Sequence, residues 1–286
     1  MLTRPLRSVL YIPGSKLRAI DKARALPADA IIFDLEDAVA IEEKEAARET
    51  LRHELGRGGF GQRFILVRIN GLDTQWGEAD ARAAAQMKCD AVLLPKCESA
   101  AQLDRLAGLV GQHRLWAMME TPRGILRAEE IAAHPRLDGM VMGTNDLYKE
   151  MHARPTPARD AMLTSLGMCV LAAKAHGIAA IDGVYNAFKD EAGLKAEAEQ
   201  GRDLGFDGKS LIHPLQLEGA NDAFAPTEAE VDLARRQIRA FEEARAQGQG
   251  IAVVDGKIVE NLHVETARKV LAKAKAIAEI ARIAAE

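Results

Sequence analysis

A chain of 286 residues with a formal net charge of −4 is long enough to bury one large core, and it lacks the basic surface that general nucleic-acid binding requires. No apolar stretch is long enough to span a bilayer, Met1-Leu2-Thr3-Arg4-Pro5 lacks the apolar heart of a secretory signal, and Cys89, Cys97 and Cys169 form no Cys-x-x-Cys pair. These features predict a cytoplasmic α/β protein that engages neither membrane nor nucleic acid, with buried or inert thiols.

Apolar runs that read as strands alternate with amphipathic runs that read as helices. In chain order the strands are expected at Ser8–Ile12, Ala30–Leu35, Phe64–Ile69, Ala91–Leu94, Leu115–Met119, Gly139–Met142, Ala179–Ile181 and Gly208–Ile212. They recur about every 25–35 residues, the length of a βα unit. Each is continuously apolar rather than alternating, as expected of strands covered on both faces. Helices are expected between them, for example over Glu42–Leu55 and over Ser99–Val110 with Ser99 as N-cap. Eight such units favour a (β/α)8 TIM barrel. An open doubly wound sheet is the alternative, but no Gly-x-Gly-x-x-Gly follows the first strand.

The rhythm breaks near residue 219. Thr227 and Glu230 read as a capping box before a helix with Val231, Ala234, Ile238 and Phe241 on one face, which ends at Gly248–Gly250. Ile251–Val259 reads as a hairpin turning at Asp255-Gly256. A last helix carries Val264, Ala267, Val270, Leu271, Ala274 and Ile277 as its apolar stripe. We therefore divide the chain into a barrel over 1–218 and a helical and hairpin extension over 219–286, which serves either as a packing arm or as a lid for a neighbouring subunit.

Catalytic groups of such barrels sit at the C-terminal ends of the strands. That rim holds Pro13-Gly14, Glu36, Asp37, Arg68, Asn70, Lys96, Glu120, Asp146, Asp182 and His213. Glu120 and Asp146 follow adjacent strands, so two carboxylates can take neighbouring positions on one octahedral ion. Magnesium suits them because it keeps several waters and needs few protein ligands; zinc does not, since no His or Cys lies near these acids in sequence. Arg68 is a permanent cation able to grip a carboxylate or developing enolate, and equally able to pair with Glu36 or Asp37. Glu36 and Asp37 can hold a water beside the metal, orient Arg68, or close the barrel. Lys96 can act electrostatically; His213 can serve structure or catalysis. At the first strand, Ser15 can cap the helix that follows, where free backbone amides together with Lys16, Arg18 and Lys22 favour phosphate.

These segments in this order, RSVLYIPGSKLRAIDKA, DAIIFDLEDAV, VRIN, LLPK, METPRGI, GTNDL, AIDG and GFDGKSLIHPLQ, resemble the citrate lyase β-subunit-like family of CoA-ester lyases within the HpcH/HpaI aldolase superfamily. That family includes malyl-CoA, β-methylmalyl-CoA and citramalyl-CoA lyases. The resemblance implies a magnesium-dependent barrel (manganese able to substitute) that assembles as a homotrimer or homohexamer. It implies Glu120 and Asp146 as metal ligands, and Arg68 with Glu36 and Asp37 around the oxo acid. Tyr11, Lys16, Arg18 and Lys22 would lie toward the CoA. In the family an acid from a neighbour's C-terminal segment completes the site within Gly-Lys-Met-Ile/Val-Asp. Here the segment is Gly256-Lys257-Ile258-Val259-Glu260, so Glu260 replaces the aspartate, with Asp255 as a second candidate.

The implied reaction is reversible cleavage of a 3-hydroxyacyl-CoA into an acyl-CoA and a 2-oxo acid of the glyoxylate or pyruvate class, with Glu260 or Asp255 protonating the enolate carbon. Three alternatives stand beside it: a malyl-CoA thioesterase, a citryl-thioester lyase β subunit working with an acyl-carrier protein, and a non-catalytic barrel that binds acyl-CoA or oxo acid.

Overall fold

In the computed structural model, which describes residues 4–285, the eight apolar runs are parallel strands: β1 Ser8–Pro13, β2 Ala30–Asp34, β3 Phe64–Arg68, β4 Ala91–Leu94, β5 Arg114–Met119, β6 Leu137–Met142, β7 Ala179–Asp182 and β8 Gly208–Leu211. They follow one another in order around a closed barrel, and β1 pairs with β8 to shut the ring. The fold is a (β/α)8 TIM barrel. The helices are α1 Leu17–Ala23, α2 Lys44–Arg57, α3 Gly77–Ala84, α4 Ala100–Leu109, α5 Pro122–Leu126, α6 Ala128–Ala132, α7 Thr144–Glu150, α8 Leu163–His176, α9 Glu191–Leu204 and α10 Leu217–Phe224, then α11 Glu228–Ala246 and α12 Asn261–Ala285. Among the described residues no helix is long and apolar enough to cross a membrane.

The period of two along each strand sorts the apolar side chains into two cores. Val9, Ala30, Ile32, Phe64, Leu66, Leu93, Trp116, Met118, Val141 and Ile181 fill the barrel interior. Their alternates, among them Leu10, Ile31, Phe33, Ile65, Val67, Leu94, Ala117 and Met140, face the helices. Trp116 is the largest fully buried side chain. Its ring crosses the interior next to Phe64 at 5.7 Å between ring centres. Only glycine fits opposite it, because a Cβ on Gly139 would lie 2.7 Å from three ring carbons.

Ser99 does occupy the N-cap position of α4, but its side chain makes no capping bond; Gln102 Oε1 instead accepts from Glu98 N, just ahead of the cap, at 2.6 Å. Ser15 does not cap α1 either: Lys16 is the cap residue, without a side-chain bond, and the buried Ser15 hydroxyl has no hydrogen-bond partner among the described residues. The region expected as a helix from Glu42 opens as a 3₁₀ turn over Ile41–Glu43 before α2.

The chain divides into two compact units, Leu6–Phe224 and a second beginning at Ala225. In the second, the Thr227–Glu230 capping box forms as expected. Strands β9 Ala252–Val254 and β10 Lys257–Val259 make an antiparallel hairpin. Both turn residues have positive φ, Asp255 at 51° and Gly256 at 74°, the geometry of a two-residue turn that matches strand twist. Ala244, Ala252, Val259 and Val264 form its small core.

Candidate active site

Extending the interior register by one step, from Val9, Ile32, Leu66 and Met118, carries four polar side chains into the barrel mouth: Tyr11, Asp34, Arg68 and Glu120. All four line one cavity of about 310 Å³, within the usual size of a small-molecule site. Asp37, Met142, Gly143, Asn145, Asp146, Val184 and Ile212 complete much of the wall. Glu120 and Asp146 therefore share a cavity.

Arg68 is the hub. Its Nε and Nη2 donate to Asp34 Oδ1 and Oδ2 at 2.7 Å each, a bidentate pair. Its Nη1 lies 3.0 Å from Glu36 Oε2 and 3.7 Å from Asp37 Oδ2. The guanidinium also sits 5.1 Å from the centre of the Tyr11 ring, a cation–π contact. The expected partners Glu36 and Asp37 are thus both present, but the principal one, Asp34, was missed. The β2–β3 register sets Asp34 beside Arg68 directly, and the interior periodicity Ala30, Ile32, Asp34 is the signal that points to it. Burial pushes the Asp34 carboxyl up, but the Arg68 charge outweighs it and holds the group below the usual carboxylate range.

Glu120 is 1% exposed. Burial, reinforced by the Glu36 charge, raises its carboxyl to about 7. Its Oε1 accepts from Lys96 N at 2.7 Å. Its Oε2 faces Gly143, where an added Cβ would come within 2.6 Å of that oxygen and 2.4 Å of Glu120 Cβ. Glu36 is likewise raised by burial, against the pull of Arg68 and Lys96; Lys96 Nζ donates to its Oε1 at 2.7 Å.

Several rim residues turn out to be braces. Asn70 Nδ2 donates to Leu35 O and Asp80 Oδ2. Lys44, also buried, donates to Leu35 O and Glu36 O. Together they hold the segment that carries Glu36. Asp182 points outward to α9, where a Cβ on Gly201 would meet its Oδ2 at 2.7 Å. There it pairs with Arg159 Nη1 at 2.7 Å and with the fully buried Lys209 at 3.0 Å. His213 caps a 3₁₀ turn by accepting from Leu215 N, and stacks on Phe188.

Of the residues expected toward CoA, only Tyr11 lines the cavity. Lys16, Arg18 and Lys22 are exposed on and before α1, and Lys16 Nζ lies 3.5 Å from Glu43 Oε2. In the second unit, Asp255 accepts from Arg236 Nη1 at 2.6 Å, and that bond holds its carboxyl below the usual range. Glu260 is exposed at the start of α12.

Deep polar residues at the C-terminal mouth of a (β/α)8 barrel, with paired acids and a clamped arginine, have the arrangement of a barrel-enzyme active site. Residues 7–214 match the HpcH/HpaI aldolase/citrate lyase family, and the chain belongs to it. It is 65% identical over 96% of both chains to a (3S)-malyl-CoA thioesterase of Cereibacter sphaeroides. It is 37% identical to citrate lyase subunit beta of Escherichia coli, over 96% of this chain and 94% of that one. The crystal structure of CitE from Mycobacterium tuberculosis in complex with magnesium, acetoacetate and coenzyme A superposes with a TM-score of 0.81 at 32% identity, covering 96% of this chain and all of that one.

The residues present fit a magnesium ion. The donor set is hard oxygen. The carboxylates of Asp34, Glu36, Asp37, Glu120 and Asp146 outnumber the cations of Arg68 and Lys96 around the cavity. Glu120, raised by burial and by Glu36, is an acid that a nearby divalent charge would ionise. Among the described residues no group of three or more His, Cys, Asp or Glu side chains is arranged for a metal, and a two-carboxylate site suits an ion that keeps its waters.

Proposed function

We propose that this protein is a magnesium-dependent hydrolase of a 3-hydroxyacyl-CoA thioester of the malyl-CoA class, adding water across the C–S bond to release the hydroxy acid and free CoA. The observation that carries the choice of outcome is the 65% identity, end to end, to a relative named (3S)-malyl-CoA thioesterase. The cavity chemistry supports the substrate class. Glu120 and Asp146 would hold the ion, with manganese as a substitute, and bound magnesium supplies positive charge that polarises a hydroxyl or keto oxygen. Arg68 is fixed on two sides by Asp34 and offers Nη1 to a substrate carboxylate or to an enolate. Tyr11, Met118, Met142, Val184 and Ile212 supply an apolar wall that limits water.

Carbon–carbon cleavage to an acyl-CoA and glyoxylate or pyruvate is the second reading, favoured by the match to citrate lyase subunit beta. In that case Glu260 is our choice for the acid that protonates the enolate, brought from a neighbouring subunit of a homotrimer or homohexamer, because Asp255 is committed to Arg236. Incubating the purified chain with malyl-CoA and magnesium separates the two: malate with free thiol supports hydrolysis, glyoxylate with acetyl-CoA supports cleavage, and full turnover in EDTA rejects the metal. Glu260→Ala should lose α-proton exchange into acetyl-CoA yet keep magnesium-dependent oxo-acid binding; undiminished exchange removes Glu260 from the reaction.

A further inference from the structure

We propose that Lys96 is a positioning residue that holds two carboxylates of the barrel mouth at once, Glu120 through its backbone N–H and Glu36 through its ammonium group. The inference rests on reading Glu120 as a ligand of the divalent ion. Lys96 follows β4 with φ of 47°. In that left-handed region a Cβ crowds the backbone, and glycine is the usual occupant. Strained backbone of this kind persists where the surroundings fix it and the site uses it.

Two contacts show what the residue supplies. The left-handed turn aims Lys96 N–H at Glu120 Oε1, 2.7 Å away. Glycine would make that bond equally well. The side chain reaches Glu36 Oε1 at 2.7 Å, and glycine would not. The turn is pinned on its far side, where Cys97 N donates to Met118 O at 3.2 Å. One oxygen of Glu120 is therefore occupied, while its Oε2 makes no hydrogen bond among the described residues and lies against Gly143, three residues before Asp146.

The ammonium also governs Glu36. This carboxylate is buried and acts on Glu120 as a like charge. Lys96 neutralises it and keeps Oε1 engaged, so Oε2 alone meets Arg68 Nη1. Without the ammonium, the Glu36 carboxylate keeps its ion pair with Arg68 alone among the described residues. It then competes with an incoming carboxylate for Nη1 and repels that carboxylate directly. An exposed lysine pair usually contributes little, but here one partner is buried and borders the cavity.

The test uses the full chain with three substitutions, Lys96→Gly, Lys96→Gln and Lys96→Arg, alone and with Glu36→Gln. Calorimetry measures manganese binding to the metal-free protein and pyruvate binding to the magnesium-loaded protein. Manganese binding should persist in all of them. Pyruvate binding should weaken about tenfold in the Gly and Gln variants, the scale of one lost charge-assisted contact, and largely return with arginine. Glu36→Gln in the Lys96→Gln background should restore it, because the charge needing neutralisation is gone. Metal-free Lys96→Gly should also melt above Lys96→Gln, since only glycine relieves the turn. Pyruvate affinity within twofold of wild type in the Gly and Gln variants overturns the proposal, as does a loss that Glu36→Gln leaves unrepaired. Failure of the wild-type protein to bind manganese overturns instead the reading of Glu120 and Asp146 on which it rests.

Discussion

Replacing Asp34 by Asn should damage both the fold and the site. Each Asp34 oxygen accepts twice: Oδ1 from Arg68 Nε and Glu36 N, Oδ2 from Arg68 Nη2 and Ala38 N. Asparagine turns one oxygen into an NH₂ group, so one Arg68 donor and one backbone donor then face a donor. It also removes the charge opposite a guanidinium that is nearly inaccessible to water. Breaking a buried pair in this way costs about 3–5 kcal/mol. For a domain of this size that is a fall of about 6–10 °C in Tm. Urea unfolding followed by tryptophan fluorescence measures the loss, and turnover or pyruvate binding reports the displaced Arg68. The sign of the pH dependence follows from the depressed Asp34 pKa. Its contribution is present above the unfolded value of 3.8 and fades as pH falls through the lower folded value, so the gap between wild type and variant should close only in strong acid. An Asp34→Asn protein within about 1 kcal/mol of wild type that binds pyruvate normally would refute the role given to the Asp34–Arg68 pair.

The remaining expectations concern the carboxylate and the two tight glycines. Because Glu120 titrates near 7 in the metal-free protein against 4.5 when unfolded, ionising it should erode stability as pH rises through that window. The magnesium-induced rise in Tm should therefore grow from about pH 6 to about pH 8 and flatten in Glu120→Gln; an equal rise at both pH values contradicts this. Gly143→Ala should displace the Glu120 side chain and abolish manganese binding by calorimetry while circular dichroism stays native; unimpaired binding shows that Glu120 is not held where we place it. Gly139→Ala drives a methyl into the Trp116 ring and should cost about 1–3 kcal/mol, read as a lower urea midpoint; an unchanged midpoint would show that the interior yields more readily than its packing indicates.

The barrel was legible because its strands announce themselves. Runs such as Ala30-Ile31-Ile32-Phe33 are apolar at every position, as only strands sandwiched between an interior and a helix layer can be. The hairpin at Asp255-Gly256 was equally plain, since its turn chemistry is local. Arg68, Glu120 and Asp146 stand out by their position at or just beyond a strand end, and all three line the one cavity. What escaped was everything decided by side-chain direction. Asp34 lies one step below the rim that Glu36 occupies, and only the interior periodicity Ala30, Ile32, Asp34 marks it. Asn70, Asp182 and His213 looked like site residues at the strand ends, yet one braces Leu35, one turns outward to meet Arg159 and Lys209, and one caps a turn. Ser15 and Ser99 were read from residue type alone, and neither hydroxyl makes the capping bond. The choice between thioester hydrolysis and carbon–carbon cleavage is not written in any short motif, because both readings draw on Glu120, Asp146 and Arg68.

The outward pair of Asp182 with Arg159 bears on how the mouth behaves over time. Asp146 sits early in α7. Upstream, Gly143 N donates to Met119 O; downstream, the chain returns to the barrel wall where Arg159, itself at φ 55°, locks onto Asp182 and Gln200. A segment moored at both ends has little room to swing. The sixth βα connection is thus a jaw tied to the barrel at both ends, held by contacts of the chain itself rather than by a ligand.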